Sequence, residues 1–100
     1  MIKSKNSNAK SRKALRMINY MEQVTEGVLH SLLLEYKGAR FSTSAKRDIK
    51  ALALNRLWPM YTTTTLGRDF LKKIVEEDNI EKDVVRELRA AVNIVRSNPR

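Results

Sequence analysis

The chain has no cysteine, two prolines, three glycines and one histidine among its 100 residues. Without cysteine there is neither a disulfide nor a thiolate metal site, so packing alone has to hold the fold. With His30 as the lone histidine, the usual histidine-based metal spacings and paired general bases are missing as well. The glycines, Gly27, Gly38 and Gly67, stand apart, so there is no glycine-rich phosphate loop. The apolar runs, such as Val28-Leu29, Leu32-Leu33-Leu34 and Ala51-Leu52-Ala53-Leu54, are short, far below the roughly 20 residues a membrane span requires. The basic N-terminus is not followed by an apolar stretch of leader length, and the sequence predicts a cytoplasmic protein with no membrane contact. Glu76, Glu77, Asp78, Glu81 and Asp83 lie beside lysines and arginines and read as solvated helix faces and caps. The expectation is a protein with no catalytic activity, metal or cofactor.

What is present is the composition of a folded domain: 42% hydrophobic and 31% charged residues. The length allows one domain with a modest core. The formal charge is +9, and it is unevenly placed. Residues 1–56 carry 12 Lys/Arg and 4 Asp/Glu, a balance of +8, whereas residues 57–100 carry 8 and 7, a balance of +1. Such asymmetry points the first half toward an anion: nucleic acid, a nucleotide or an acidic surface.

Residues 1–13 are polar, rich in Ser, Asn and Lys, and free of acids; they read as a flexible basic arm ahead of a single domain over 14–100. Apolar steps of three and four predict a first helix over 14–36, through Leu15, Ile18, Met21, Val24 or Thr25, Val28, Leu29, Leu32 and Tyr36, with Gly38 as its stop. Thr43 or Ser44 is expected to cap a second helix over 45–57 that buries Ile49, Leu52, Ala53 and Leu57 and ends before Pro59. Leu54 points away from that face, so this helix is apolar on more than one side, as in a core or a subunit interface. The β-branched, aromatic run 60–65 predicts a short strand, whose partner is left open between this chain and a second copy. Thr65 is expected to cap a third helix over 66–77, with Phe70, Leu71, Ile74 and Val75 inward. Asp78 and Glu81 fit a capping box ahead of a fourth helix over 80–97, which carries Val84, Val85, Leu88, Val92 and Val95. The expected fold is a mainly α, single-domain bundle of four helices with a short extended segment near 60–65.

One stretch carries a specific pattern: Asp48-Ile49-x-Ala51-Leu52-Ala53-Leu54-Asn55-Arg56-Leu57-x-Pro59-x-Tyr61. This resembles the late-competence ComFB family, in which an acid and an apolar residue precede a small-apolar run ending in Leu-Asn, then Leu-x-Pro-x-Tyr and a β-rich segment. Asn19-Tyr20-Met21-Glu22, with Val24 after it, is similar to that family's opening helix. The resemblance is good from residue 18 to 65 and looser beyond. Many members carry a cysteine cluster suited to zinc just before the acid; here Arg40, Ser42 and Ala45 stand in those places, so no zinc is expected. The resemblance implies a mainly helical homodimer that binds a cyclic dinucleotide, most naturally cyclic di-GMP, and passes the signal to a downstream protein.

The residue types suit that ligand. Its phosphates call for Arg or Lys, and its guanine edges for a carboxylate and a guanidinium. The segment offers Arg40, Lys46, Arg47, Lys50 and Arg56 as cations, Asp48 as a carboxylate, and Asn55 as an amide. Tyr61 and the hydroxyls of residues 62–65, Thr63 among them, complete the set. Asp48 and Asn55, seven apart, fall about 20° from each other on a helix; the pair suits a ligand and a structural hydrogen bond equally. Trp58 and Tyr61 read as core or interface aromatics. The alternatives are a basic nucleic-acid-binding protein and a helical adaptor for a protein partner.

Overall fold

A computed structural model describes residues 14–97, and the expected basic arm, 1–13, lies outside them. The elements are β1 (Ala14–Asn19), α1 (Tyr20–Leu33), α2 (Thr43–Leu54), β2 (Tyr61–Thr64), α3 (Thr65–Glu77) and α4 (Ile80–Ser97). The four-helix, mainly α expectation is borne out, and the small sheet is antiparallel and formed within the chain.

The first predicted helix is corrected: residues 14–19 are a strand, and the helix starts at Tyr20. Asn19 decides the boundary. Its Oδ1 accepts from the Met21 amide at 3.1 Å, which caps α1, and from the Met60 amide at 2.7 Å. The Tyr20 amide donates to the Met60 carbonyl at 2.7 Å. One side chain thus starts the helix and clamps the approach to β2. Ile18 pairs with Thr62 and Asn19 with Tyr61, while Ala14 pairs with Thr64, so three residues of β1 (Leu15, Arg16 and Met17) lie opposite Thr63 alone. That irregularity lifts Met17 out to 71% exposure.

The core sits where α1, α2 and α4 meet. Met21, Leu29 and Leu32 from α1, Ile49 and Ala53 from α2, and Val84, Leu88, Ala91 and Val92 from α4 are buried there. At the position left open as Val24 or Thr25, Thr25 is the buried one, and its hydroxyl has no hydrogen-bond partner. The second helix is two or three residues out of register with its expectation: Ser42 caps it, its Oγ accepting from the Ala45 amide at 3.0 Å, and it ends at Leu54 with Asn55 as C-cap. Between α1 and α2, Gly38 takes φ +80°, a left-handed turn suited to glycine. The loop is tied to α4 by Arg89, which donates to Glu35 at 2.8 Å, and by the Arg96 guanidinium, 5.6 Å from the Tyr36 ring centre. The hydrogen bond to Glu35 raises the Arg89 pKa above its ordinary value.

α3 attaches beside this core, on β2 and α4. Thr64, not Thr65, is its cap, with Oγ1 accepting from the Gly67 amide at 3.0 Å. Phe70 is also corrected: it is 63% exposed, and Val75 is the α3 residue that is buried. Asp78, expected to open a capping box, is the C-cap of α3, and Asn79 at φ 55° makes the turn into α4. Gly67 lets α3 sit close on the strand, because a Cβ there would run into the Thr62 hydroxyl. Gly67→Ala is therefore expected to destabilise the fold by about 1–2 kcal/mol, as overpacking does. This holds although alanine is favoured over glycine by about 1 kcal/mol inside a helix. Thermal denaturation followed by circular dichroism checks it; Thr62→Ala in the same chain should restore most of the loss. A Gly67→Ala chain more stable than the parent would show that Thr62 swings aside at no cost.

Candidate functional site

Among the described residues, an open groove of about 720 Å³ lies between α1 and α2. Ser42 ends the loop and launches α2 so that Lys46, Arg47 and Lys50 form one wall. The opposite wall is α1, where Glu22, Glu26 and His30 recur at steps of four, the spacing that stacks side chains on one helical face. Leu29, Leu33, Leu54 and Phe41 form the apolar floor. Leu54, expected to point away from the core face, is half-buried in this floor. Lys50 Nζ reaches across to Glu26 Oε1 at 3.1 Å. Lys46 and Arg47 are exposed. The first turn of α2 carries no acid, so its positive end adds to the cationic wall.

The remaining candidate residues are distributed around this groove. Arg40 and Asp48 line a second hollow of about 400 Å³, on the other side of the first turn of α2, together with Phe41, Ser42 and Arg96. Asp48 is half-buried there. Arg56 lines a third hollow with Trp58, Pro59, Asp83 and Arg86, and Tyr61 a fourth with Arg16, Met17 and Glu22. Asn55 is an exposed cap, and Thr63 is exposed on β2. The structure thus brings Lys46 and Arg47 together, sets Arg40 and Asp48 around a corner from them, and leaves Arg56, Asn55, Tyr61 and Thr63 elsewhere.

Sequence reasoning missed the α1 wall. Its signal was present: Glu22, Glu26 and His30 interrupt the polar face at helical steps, but only the packing of α1 on α2 places them opposite the lysines. Among the described residues no group of three or more His, Asp or Glu side chains is placed to hold a metal ion. Among the same residues, no helix is long and apolar enough to cross a membrane.

Residues 18–99 match the family model of the late competence development protein ComFB. The chain belongs to the ComFB family. The fold is similar to that of a solved structure, the late competence protein ComFB from Bacillus subtilis, with a TM-score of 0.76. That match covers 85% of this chain and 93% of the other at 20% identity, a likeness of fold. No curated protein matches the chain. Within the ComFB match lie both walls of the α1/α2 groove and the whole 48–61 motif.

Proposed function

We propose that this ComFB-family chain is a non-enzymatic, cytoplasmic receptor for a cyclic dinucleotide, cyclic di-GMP, and that it works as a homodimer in second-messenger signalling without metal or cofactor. The observation that carries the reading is the α1/α2 groove. Its volume of about 720 Å³ lies in the range of small-molecule sites, and it joins an apolar floor to a cationic wall.

In this reading Lys46 and Arg47 take the phosphates, Arg47 as a two-pronged donor. The ligand's bases lie on Leu29, Leu33 and Leu54, which exclude water from the charge contacts. Glu22 and Glu26 are acceptors only, and they face the ring N–H and exocyclic amine of a guanine edge. Arg40 and Asp48 line the neighbouring hollow beside Ser42, the cap of the helix that carries both phosphate ligands.

Isothermal titration with cyclic di-GMP tests the proposal, with cyclic di-AMP and a linear dinucleotide as controls. Saturable, micromolar-or-tighter binding to the cyclic guanine form is expected. A hydrogen bond to a charged group contributes roughly 1.5–3 kcal/mol, so Lys46→Ala and Arg47→Ala should each weaken binding by about 10- to 100-fold. No heat with any dinucleotide, or unchanged affinity in both variants, would overturn this assignment. Steeply salt-dependent binding to duplex nucleic acid in place of dinucleotide binding would favour the nucleic-acid reading.

A further inference from the structure

One ion pair crosses the α1/α2 groove: Lys50 Nζ lies 3.1 Å from Glu26 Oε1. The groove is lined from Glu22 to Leu34 on one side and from Thr43 to Leu54 on the other, so the pair bars it near the middle of both walls. Its two partners differ in their surroundings. The Glu26 side chain is 66% exposed, whereas that of Lys50 is 27% exposed. Most of the lysine is therefore already covered, its stem lying along the groove wall. An ion pair with one partner this open to water contributes little to stability, so a stronger partner for the ammonium can displace the carboxylate.

The charges of the groove call for such an exchange. Lys46, Arg47 and Lys50 make the α2 wall cationic, with Lys46 and Lys50 one helical turn apart, and Glu22 and Glu26 make the α1 wall acidic. A cyclic dinucleotide brings two phosphate charges of its own. If Lys50 stays on Glu26, only Lys46 and Arg47 are left to meet both phosphates, and Glu26 is not free to accept from a base. If Lys50 turns to a phosphate, every cation of the wall meets the ligand and Glu26 is released toward the N–H groups of the base. The move requires little further loss of water, because the lysine is already mostly covered, and the hydrogen bond it forms is one between two charged groups.

We infer that Lys50 is a phosphate ligand held in reserve: the ligand-free protein keeps it on Glu26, and the entering dinucleotide takes it over and so opens the bar across the groove. This rests on the receptor reading above and adds how its groove opens. Two titrations of the full chain test it, one with cyclic di-GMP by calorimetry and one with inorganic pyrophosphate, which has two phosphates and no base, by amide chemical shifts. Lys50→Met keeps the stem and removes the charge; it should weaken both ligands by about tenfold or more, with unchanged far-ultraviolet circular dichroism. Lys50→Arg should bring cyclic di-GMP binding back to within about threefold of the parent. Glu26→Gln frees Lys50 in advance and should tighten pyrophosphate binding by about threefold. Glu22→Gln, the same change of charge one turn away on the same wall, should gain less than half as much. A Lys50→Met chain that binds like the parent, equal gains from the two glutamine variants, or a parent indifferent to pyrophosphate overturns the exchange, and the receptor stands if the parent binds cyclic di-GMP. A parent that takes up pyrophosphate through Lys50 but no dinucleotide overturns the receptor and keeps the exchange.

Discussion

Leu88→Ala should lower the free energy of unfolding by about 3 kcal/mol, within the range of roughly 2–5 kcal/mol seen for leucine truncation in a core. Leu88 is fully buried on α4, beside Ile49 and Ala53 of α2 and Leu29 and Leu32 of α1. The Asn19 clamp fixes the start of α1 to Met60, and Arg89 of α4 bridges to Glu35 just past the end of α1, which limits how far these helices can collapse into the vacated space. A domain of this size holds only about 5–15 kcal/mol in total, so the midpoint of thermal unfolding should fall by more than about 10 °C. Leu34→Ala is the matched control: at 70% exposure it should change stability by less than about 0.5 kcal/mol. Urea denaturation of the two variants checks both figures. Equal losses would mean that the core does not lie between α1, α2 and α4.

Asn19→Ala carries the second large effect. It removes the acceptor of two backbone amides at once, those of Met21 and Met60. Loss of an N-cap costs about 1 kcal/mol, and a half-buried amide left without a partner about 1 kcal/mol more. The expected sum is about 2 kcal/mol, read from thermal or urea melts. Asn19→Asp keeps the acceptor and sets a negative charge at the helix N-terminus, where it is favoured. It should therefore lie within about 0.5 kcal/mol of the parent. If alanine and aspartate behave alike, the two bonds do not hold β1 to the approach of β2.

The same asparagine explains what the sequence made legible and what it did not. The fourth helix was readable to its ends, residues 80–97, because a long apolar stripe at helical spacing has no competing pattern. Residues 14–19 carry two readings: Leu15 and Ile18 extend the helical stripe of α1, and the same residues also tolerate an extended chain. What breaks the tie is a partner 41 positions away, Met60, which no local pattern reveals. The strand at 61–64 was legible from its threonines, but its mate was not, for the same reason. Phe70 was placed inward on helical periodicity alone; α3 packs on only one side, against β2 and α4, and its apolar face is wider than that contact.

At the site, the residue types were legible and the partition was not. Asp48 and Asn55 share a side on an ideal helix, but they sit about two turns apart on it: Asn55 is the exposed C-cap at the end of α2, whereas Asp48 is half-buried in the hollow with Arg40. Lys46 and Arg47 were recognisable as cations of a ComFB-like segment. The groove they border exists only because α1 lies alongside, and its acidic wall comes from a helix singled out only for its apolar stripe.

Trp58, the one tryptophan of the chain, stands in the turn between α2 and β2 with 86% of its surface open. Its indole already meets water in the native state, so its emission should change little when the protein denatures; fluorescence is a silent probe of folding here. The same ring lies beside Arg56, Pro59, Asp83 and Arg86. A blue shift or quenching on adding any partner would therefore report an event at that turn, and the spectrum can be read without correction for a second indole.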